Sequence, residues 1–104
     1  MSQQPQFLYL ITRGWKTAKH HKIEIWFVEY RKKYYIISER KKYAHWVQNI
    51  LHNSNVTFTI LNKTLKGYAR LVDFTESELI TNVSNLMNQK YGWNNGLIVE
   101  LYSV

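Results

Sequence analysis

The sequence predicts a mainly β domain with two helices, its six strands antiparallel and able to close into a small barrel. Three observations predict it. Six short segments are apolar or alternate apolar with polar residues, two other stretches carry apolar residues at helical spacing, and the links between successive strands are of hairpin length. Closing six strands on themselves also removes exposed edges. The 104 residues suffice for one core and are too few for two, so residues 1–104 read as a single domain.

Residues 7–12 form an apolar run that ends at Arg13-Gly14, a strand entering a turn. In residues 22–30, Ile23, Ile25 and Phe27 alternate with Lys22, Glu24, Trp26 and Val28, which gives a strand with one core face. Arg31-Lys32-Lys33 makes a charged turn, and residues 34–38 return as the second arm of a hairpin. Tyr43, Trp46, Val47, Ile50 and Leu51 recur at helical spacing and stop before the turn-forming Asn53-Ser54-Asn55. Val56, Phe58 and Ile60 alternate with threonines, Asn62-Lys63 suits a tight turn, and Leu65, Gly67, Ala69 and Leu71 share a face of the strand that follows. Thr75-Glu76-Ser77-Glu78 fits a capping box for a helix whose stripe is Leu79, Ile80, Val83, Leu86 and Met87, ending near Gly92. Residues 97–102 supply the last strand.

Charge is unevenly spread. Residues 1–52 hold ten Lys/Arg and three acids, while residues 53–104 hold four of each, so the whole formal excess of +7 lies in the first half. That asymmetry points to an anionic partner: a phosphorylated cofactor, nucleic acid or an acidic membrane surface. The absence of cysteine excludes disulfides, thiolate metal sites and cysteine nucleophiles. The four histidines lack ligand spacing, the acids are scattered, and no G-x-S-x-G elbow occurs, so metal, triad and paired-carboxylate chemistries find no support. Residues 1–6 show no export signal and no apolar run spans a bilayer, so the expectation is a soluble cytoplasmic protein without a membrane partner.

Two constellations remain. Residues 12–22 form a loop with Thr12, Arg13, Gly14, Lys16, Thr17, Lys19, His20, His21 and Lys22, in which cations and hydroxyls can bind phosphate and glycine lets the backbone come close. Glu39-Arg40-Lys41-Lys42 precedes the short helix, near its unpaired amides. A hairpin brings its ends together, so the expectation is that these two stretches converge on one ligand. Trp15, Trp26, Tyr34, Tyr35 and Tyr43 would serve as stacking platforms in the lesser reading, single-stranded nucleic acid, for which no RNP-like or helix-turn-helix signature is present.

The pattern Leu10-x-Thr12-x-Gly14-x-Lys16-Thr17, then Ile23-x-Ile25-Trp26-Phe27, Ile36-Ile37-Ser38 and Trp46-x-x-Asn49-Ile50-x-x-Asn53-x-x-Val56, resembles the deazaflavin-dependent nitroreductase family of the flavin-binding split-barrel superfamily. The resemblance spans residues 8–72. It implies a six-stranded antiparallel split barrel of the FMN-binding type, a homodimer, and a bound 8-hydroxy-5-deazaflavin (factor 420) or FMN. It also implies an oxidoreductase passing hydride to an unknown small-molecule acceptor, with the chemistry carried by the ring. By the same resemblance Thr12, Gly14, Lys16 and Thr17 line the phosphate loop, His21 takes the place of an arginine, and Ser38, Lys41 and Lys42 lie along the second side. The alternative is a non-catalytic binder of anionic ligands or nucleic acid on the same fold, and a third reading is a carrier of another ligand such as haem. Four departures from the pattern stand out: Trp15 replaces a basic residue, Ala18 a second glycine, Glu24 a proline, and His52-Asn53-Ser54 the usual Ala-Asn-Pro. Tyr91 and Trp93 could flank a substrate, with a core or surface role as the main reading.

Overall fold

The computed structural model describes residues 6–17 and 19–104. Strands β1 (Phe7–Arg13), β2 (His20–Tyr30) and β3 (Lys33–Ser38) are followed by a 3-10 turn (Lys41–Tyr43) and helix α1 (His45–His52); then come β4 (Asn55–Ile60), β5 (Lys63–Leu71), α2 (Ser77–Tyr91) and β6 (Leu97–Ser103). The strands close a barrel in the order β1-β2-β3-β6-β5-β4, every pair antiparallel, as the alternation and short links require. No helix is long and apolar enough to cross a membrane. The expected readings at residues 1–5 and at Ala18 lie outside the described residues.

Strand β2 changes partner along its length. Its residues from His20 to Trp26 pair with β1, and those from Phe27 to Tyr30 pair with β3. The earlier part therefore has no strand on its β3 side, and the later part none on its β1 side. A backbone edge that loses its neighbour needs other partners. At Phe27 these come from the end of α2: the Tyr91 hydroxyl accepts from Phe27 N–H (3.0 Å) and shares its proton between the carbonyls of Phe27 and Gln6, and Lys90 Nζ donates to the Phe27 carbonyl (3.0 Å). Burial pushes the Tyr91 phenol above its usual pKa and Lys90 below its own.

Two apolar clusters result. Inside the barrel, Leu8, Leu10, Phe27, Ile36, Val56, Phe58, Val99 and Leu101 meet Ile50 from α1. Outside it, Val83 and Met87 of α2 pack on Val28, Tyr35, Ile37 and Ile98. Val28 was expected on the polar face of β2, and it is buried because α2 covers the outer wall at that point.

Local details depart from the sequence reading in five places. The loop read over residues 12–22 is shorter, because Thr12 and Arg13 end β1 and pair with His21 and His20, which already belong to β2. The β2–β3 turn is Arg31-Lys32 alone, with φ of 51° and 67°, and Lys33 already pairs with Tyr30. Leu61-Asn62, one residue earlier than expected, makes the β4–β5 turn, because Ile60 pairs with Lys63. Thr75 does not cap α2: its hydroxyl donates to Asp73 Oδ1, Glu76 Oε2 accepts from the Asp73 amide, and the residue before the helix, Glu76, makes no side-chain cap. Tyr43 lies in the 3-10 turn before α1 and is exposed, as is Leu51, and the buried residues of α1 are Val47, Asn49 and Ile50. Helix α2 stops where expected, at Gly92 in the left-handed region (φ 71°).

A buried carboxylate ties α2 to the barrel. Register places Tyr35, Glu100 and Arg70 side by side on β3, β6 and β5. The Tyr35 hydroxyl donates to Glu100 Oε2 (2.8 Å), Arg70 donates to both Glu100 oxygens (3.3 and 3.2 Å), and Arg70 continues to Glu76 at the start of α2 (2.8 and 3.0 Å). Burial alone would raise the Glu100 pKa, but the hydrogen bonds from Arg70 and Tyr35 and the charges of Arg70 and Lys33 hold it below the usual carboxylate value. Burial and the bond to Glu100 push the Tyr35 phenol well up.

Because the folded pKa of Glu100 lies below its ordinary value of 4.5, its contribution is present above that pH and is lost as pH falls through the lowered folded value. Glu100→Gln is expected to cost roughly 1–3 kcal/mol at pH 7. In thermal melts between pH 7 and 3 the gap between wild type and variant should narrow on the acid side.

Candidate functional site

The part of β2 without a β3 neighbour borders a cavity of about 710 Å³. Ile25 and Trp26 form one wall, Ile37 and Ser38 the other, where β3 has parted from β2; Glu39, Arg40, Ala44, His45 and Trp46 close it on the α1 side, with Phe7, Glu24 and Trp93 at its margin. Trp46 is half-buried, packing on the barrel core while lining the cavity. Trp26 is 44% exposed, yet its indole is fixed: it stacks on Tyr91 (centroids 4.5 Å apart, planes 4° from parallel) and meets the edge of Trp93 at 6.1 Å. The cavity therefore offers flat apolar walls, with Arg40 and His45 among its polar groups.

The basic loop lies at the other end of the same strand. The Gly14 amide donates to the Lys19 carbonyl (2.7 Å), closing the turn, and Thr17 Oγ1 accepts from the Lys19 amide. A methyl group on Gly14 would stand 2.8 Å from His21 Nε2 and 3.0 Å from Thr17 Oγ1, so glycine is what lets imidazole and hydroxyl close over this backbone. Asn49 of α1 anchors the arrangement: its Nδ2 donates to Thr12 Oγ1 (3.0 Å) and its Oδ1 accepts from the Trp15 amide (3.3 Å). Both Thr12 and Asn49 are buried. Arg13, Lys16, Lys19, His20, His21 and Lys22 are exposed, and among the described residues none of them forms an ion pair. Such unneutralised charge is a standing field for anions.

Loop and cavity are joined by one face of β2. His21, Ile23 and Ile25 alternate on that face, about 13 Å from first to last at the rise of a strand. Helix α1 touches both, with Trp46 at the cavity and Asn49 bonded to the loop.

The eight predicted site residues thus divide. Thr12, Gly14, Thr17 and His21 come together, with Lys16 over the Trp15 ring (4.8 Å) on the same loop. Ser38 lines the cavity, its hydroxyl donating to the Lys41 carbonyl (2.8 Å). Lys41 and Lys42 do neither: they border a separate cavity of about 510 Å³ with Tyr43, Gln48 and Leu97. Residues 39–42 precede α1, while the loop is bonded to it at Asn49, one turn inside the helix. Arg40, not its lysine neighbours, reaches the cavity. Of the proposed stacking platforms, Tyr35 is buried, Tyr34 packs on the barrel core, Trp15 and Trp26 are stacked on other side chains, and Tyr43 is left exposed. Trp93, for which a place beside the substrate is the lesser reading of the sequence, lines the cavity. The placement of Trp26 had a signal in the sequence, a large aromatic on the polar face of an alternating strand.

A model of the F420H(2)-dependent quinone reductase family matches residues 1–95. No curated protein matches the sequence. Among solved structures, the haem storage protein HutZ from Vibrio cholerae is 17% identical (TM-score 0.79, covering 95% of this chain and 82% of that one). An F420-H2 dependent reductase, FDR-A, is 18% identical (TM-score 0.74, 97% and 96% covered), and a protein described as a domain-swapped dimer is 19% identical (TM-score 0.67, 97% and 82% covered). At these identities the likeness is one of fold.

Replacing Asn49 by alanine removes its hydrogen bonds to the Trp15 amide and to Thr12, leaving the buried Thr12 hydroxyl without its donor. A loss of about 1–3 kcal/mol in chemical denaturation, with faster hydrogen exchange at the Trp15 amide, is the expected result.

Proposed function

The chain belongs to the F420H(2)-dependent quinone reductase family, and we propose that it binds reduced factor 420 and passes its hydride to a planar acceptor of the quinone class. The observation that carries this reading is the pairing of a flat-walled cavity with an unneutralised basic loop, joined along one strand. When bound, the deazaflavin supplies a hydride at its ring, and the protein need supply no acid or base for that transfer.

The residues present fit such a group. Its ring system matches the cavity walls of Trp46, Ile25 and Ile37, with the Ser38 hydroxyl and Arg40 guanidinium beside it. Its phosphate, a ribityl chain away, would be held by Lys16, Thr17 and His21, the last two of which close over the Gly14 backbone, with lysine and histidine giving charge-assisted hydrogen bonds. Thr12 holds the floor of this loop through Asn49. Lys41 and Lys42 act on a longer anionic tail or on none. The fixed indole of Trp26 and the edge of Trp93 provide a stacking wall for the acceptor and keep water from the reacting face. FMN shares the phosphate and the tricyclic ring, and is the second cofactor to test.

The protein is further proposed to work as a homodimer. The likeness to a domain-swapped dimer and the bare rings of Tyr43 and Phe74, 81% and 85% exposed, support it. Light scattering on the purified chain reads this directly, with a mass twice that of the 12.5 kDa protomer expected.

Fluorescence titration tests the cofactor assignment. Factor 420 should bind at micromolar concentrations, and Lys16→Ala and His21→Ala should each weaken it by about 1–3 kcal/mol, while Lys42→Ala changes it little. Failure of both factor 420 and FMN to bind below about millimolar, roughly −4 kcal/mol, ends the reading.

A further inference from the structure

Two departures from the family pattern, Trp15 and His52, lie against each other. Their rings stack face to face, centroids 4.4 Å apart and planes 13° from parallel. His52 ends α1, and its Nδ1 is 2.9 Å from the Gln48 carbonyl, a contact that puts a proton on Nδ1 and sets the plane of the imidazole. One turn earlier on the helix, Asn49 holds the Trp15 amide. The loop is thus fastened to α1 at two points: by its backbone through Asn49, and by its one large side chain through His52. Lys16, the next residue, extends its Nζ over the same indole.

We propose that the Trp15–His52 stack is a clip that positions the Gly14–Thr17 turn for a ligand's phosphate. This rests on the assignment of that turn as the phosphate loop. Where a basic side chain would have added charge, the indole adds order. Each residue that must be fixed on binding opposes it, and contacts already made in the free protein remove that cost from the binding step. The clip also sets where Lys16 lies, because its Nζ rests over the indole that His52 holds. Trp15 and His52 are positioning residues: they act through the backbone of the turn and through Lys16, without touching the reacting ring.

The test uses the full chain with His52→Ala, Trp15→Ala, the double variant and His52→Phe, which keeps a flat ring. Four quantities are read: affinity for factor 420, kcat at saturating cofactor, melting temperature, and amide exchange at residues 14–17 without ligand. Each alanine variant should weaken the cofactor about tenfold and speed that exchange. The double variant should be no weaker than the worse single, since both remove the same contact. His52→Phe should return affinity to near wild type, and kcat at saturation should not move. Unchanged affinity in His52→Ala, additive losses, or a phenylalanine variant as weak as alanine overturns the clip. If wild type binds no deazaflavin, the phosphate-loop reading fails by itself. Exchange then decides the clip separately: faster exchange in His52→Ala supports it, and unchanged exchange overturns it.

Discussion

The change of partner along β2 is the constraint on which the rest of this structure depends. A strand of eleven residues is shared between β1 and β3, and where one neighbour begins the other has ended. Each half is left with an open backbone edge, and each edge has a different outcome. The edge at Phe27 is sealed by Tyr91 and Lys90 from α2, which commits that side to structure. The edge from residue 20 to 26 is left open, with the cavity against residues 24–26 and the basic loop leading into its start.

Electrostatics divides the molecule in the same sense. In the second half, acids and bases neutralise each other in a network: Glu100 accepts from Tyr35 and Arg70, and Arg70 passes on to Glu76. The carboxylate is buried, but its charge is matched at close range, so it fixes α2 and projects little field outward. In the first half the loop cations have no such partners among the described residues, and their charge faces solvent. Four of the ten Lys/Arg in residues 1–52, Arg13, Lys16, Lys19 and Lys22, lie at the start of β2, and the other six lie at the β2–β3 turn and just before α1.

The fold was largely legible in the sequence, because the signals for it are local. Alternation in β2, β4 and β5 and the helical stripe ending at Gly92 each depend on a few neighbouring residues, and the barrel follows from hairpin-length links. Val28 was misread for a reason of range: its burial comes from a helix some fifty residues later. The turns were misplaced by single residues because Arg31, Lys32 and Leu61 take positive φ without being glycine, which composition does not announce. The same effect governed the site. Lys41 has φ of 54°, and this bend sends Arg40 to the cavity and the two lysines to another face. Charge alone could not distinguish three adjacent cations. Asn49 was visible as a spacing, but its work, bridging Thr12 and Trp15 across more than thirty residues, is purely tertiary.

The central claim is that one ligand lies along the open edge of β2, its ring in the cavity and its phosphate at Gly14. Amide chemical-shift mapping during titration with factor 420 tests it most directly. The account predicts shifts at residues 14–17, 21–26, 37–40 and 44–46, saturating together with a single affinity. Shifts centred on the cavity beside Lys41 and Lys42, or on the Glu100 network with the β2 edge silent, would contradict it.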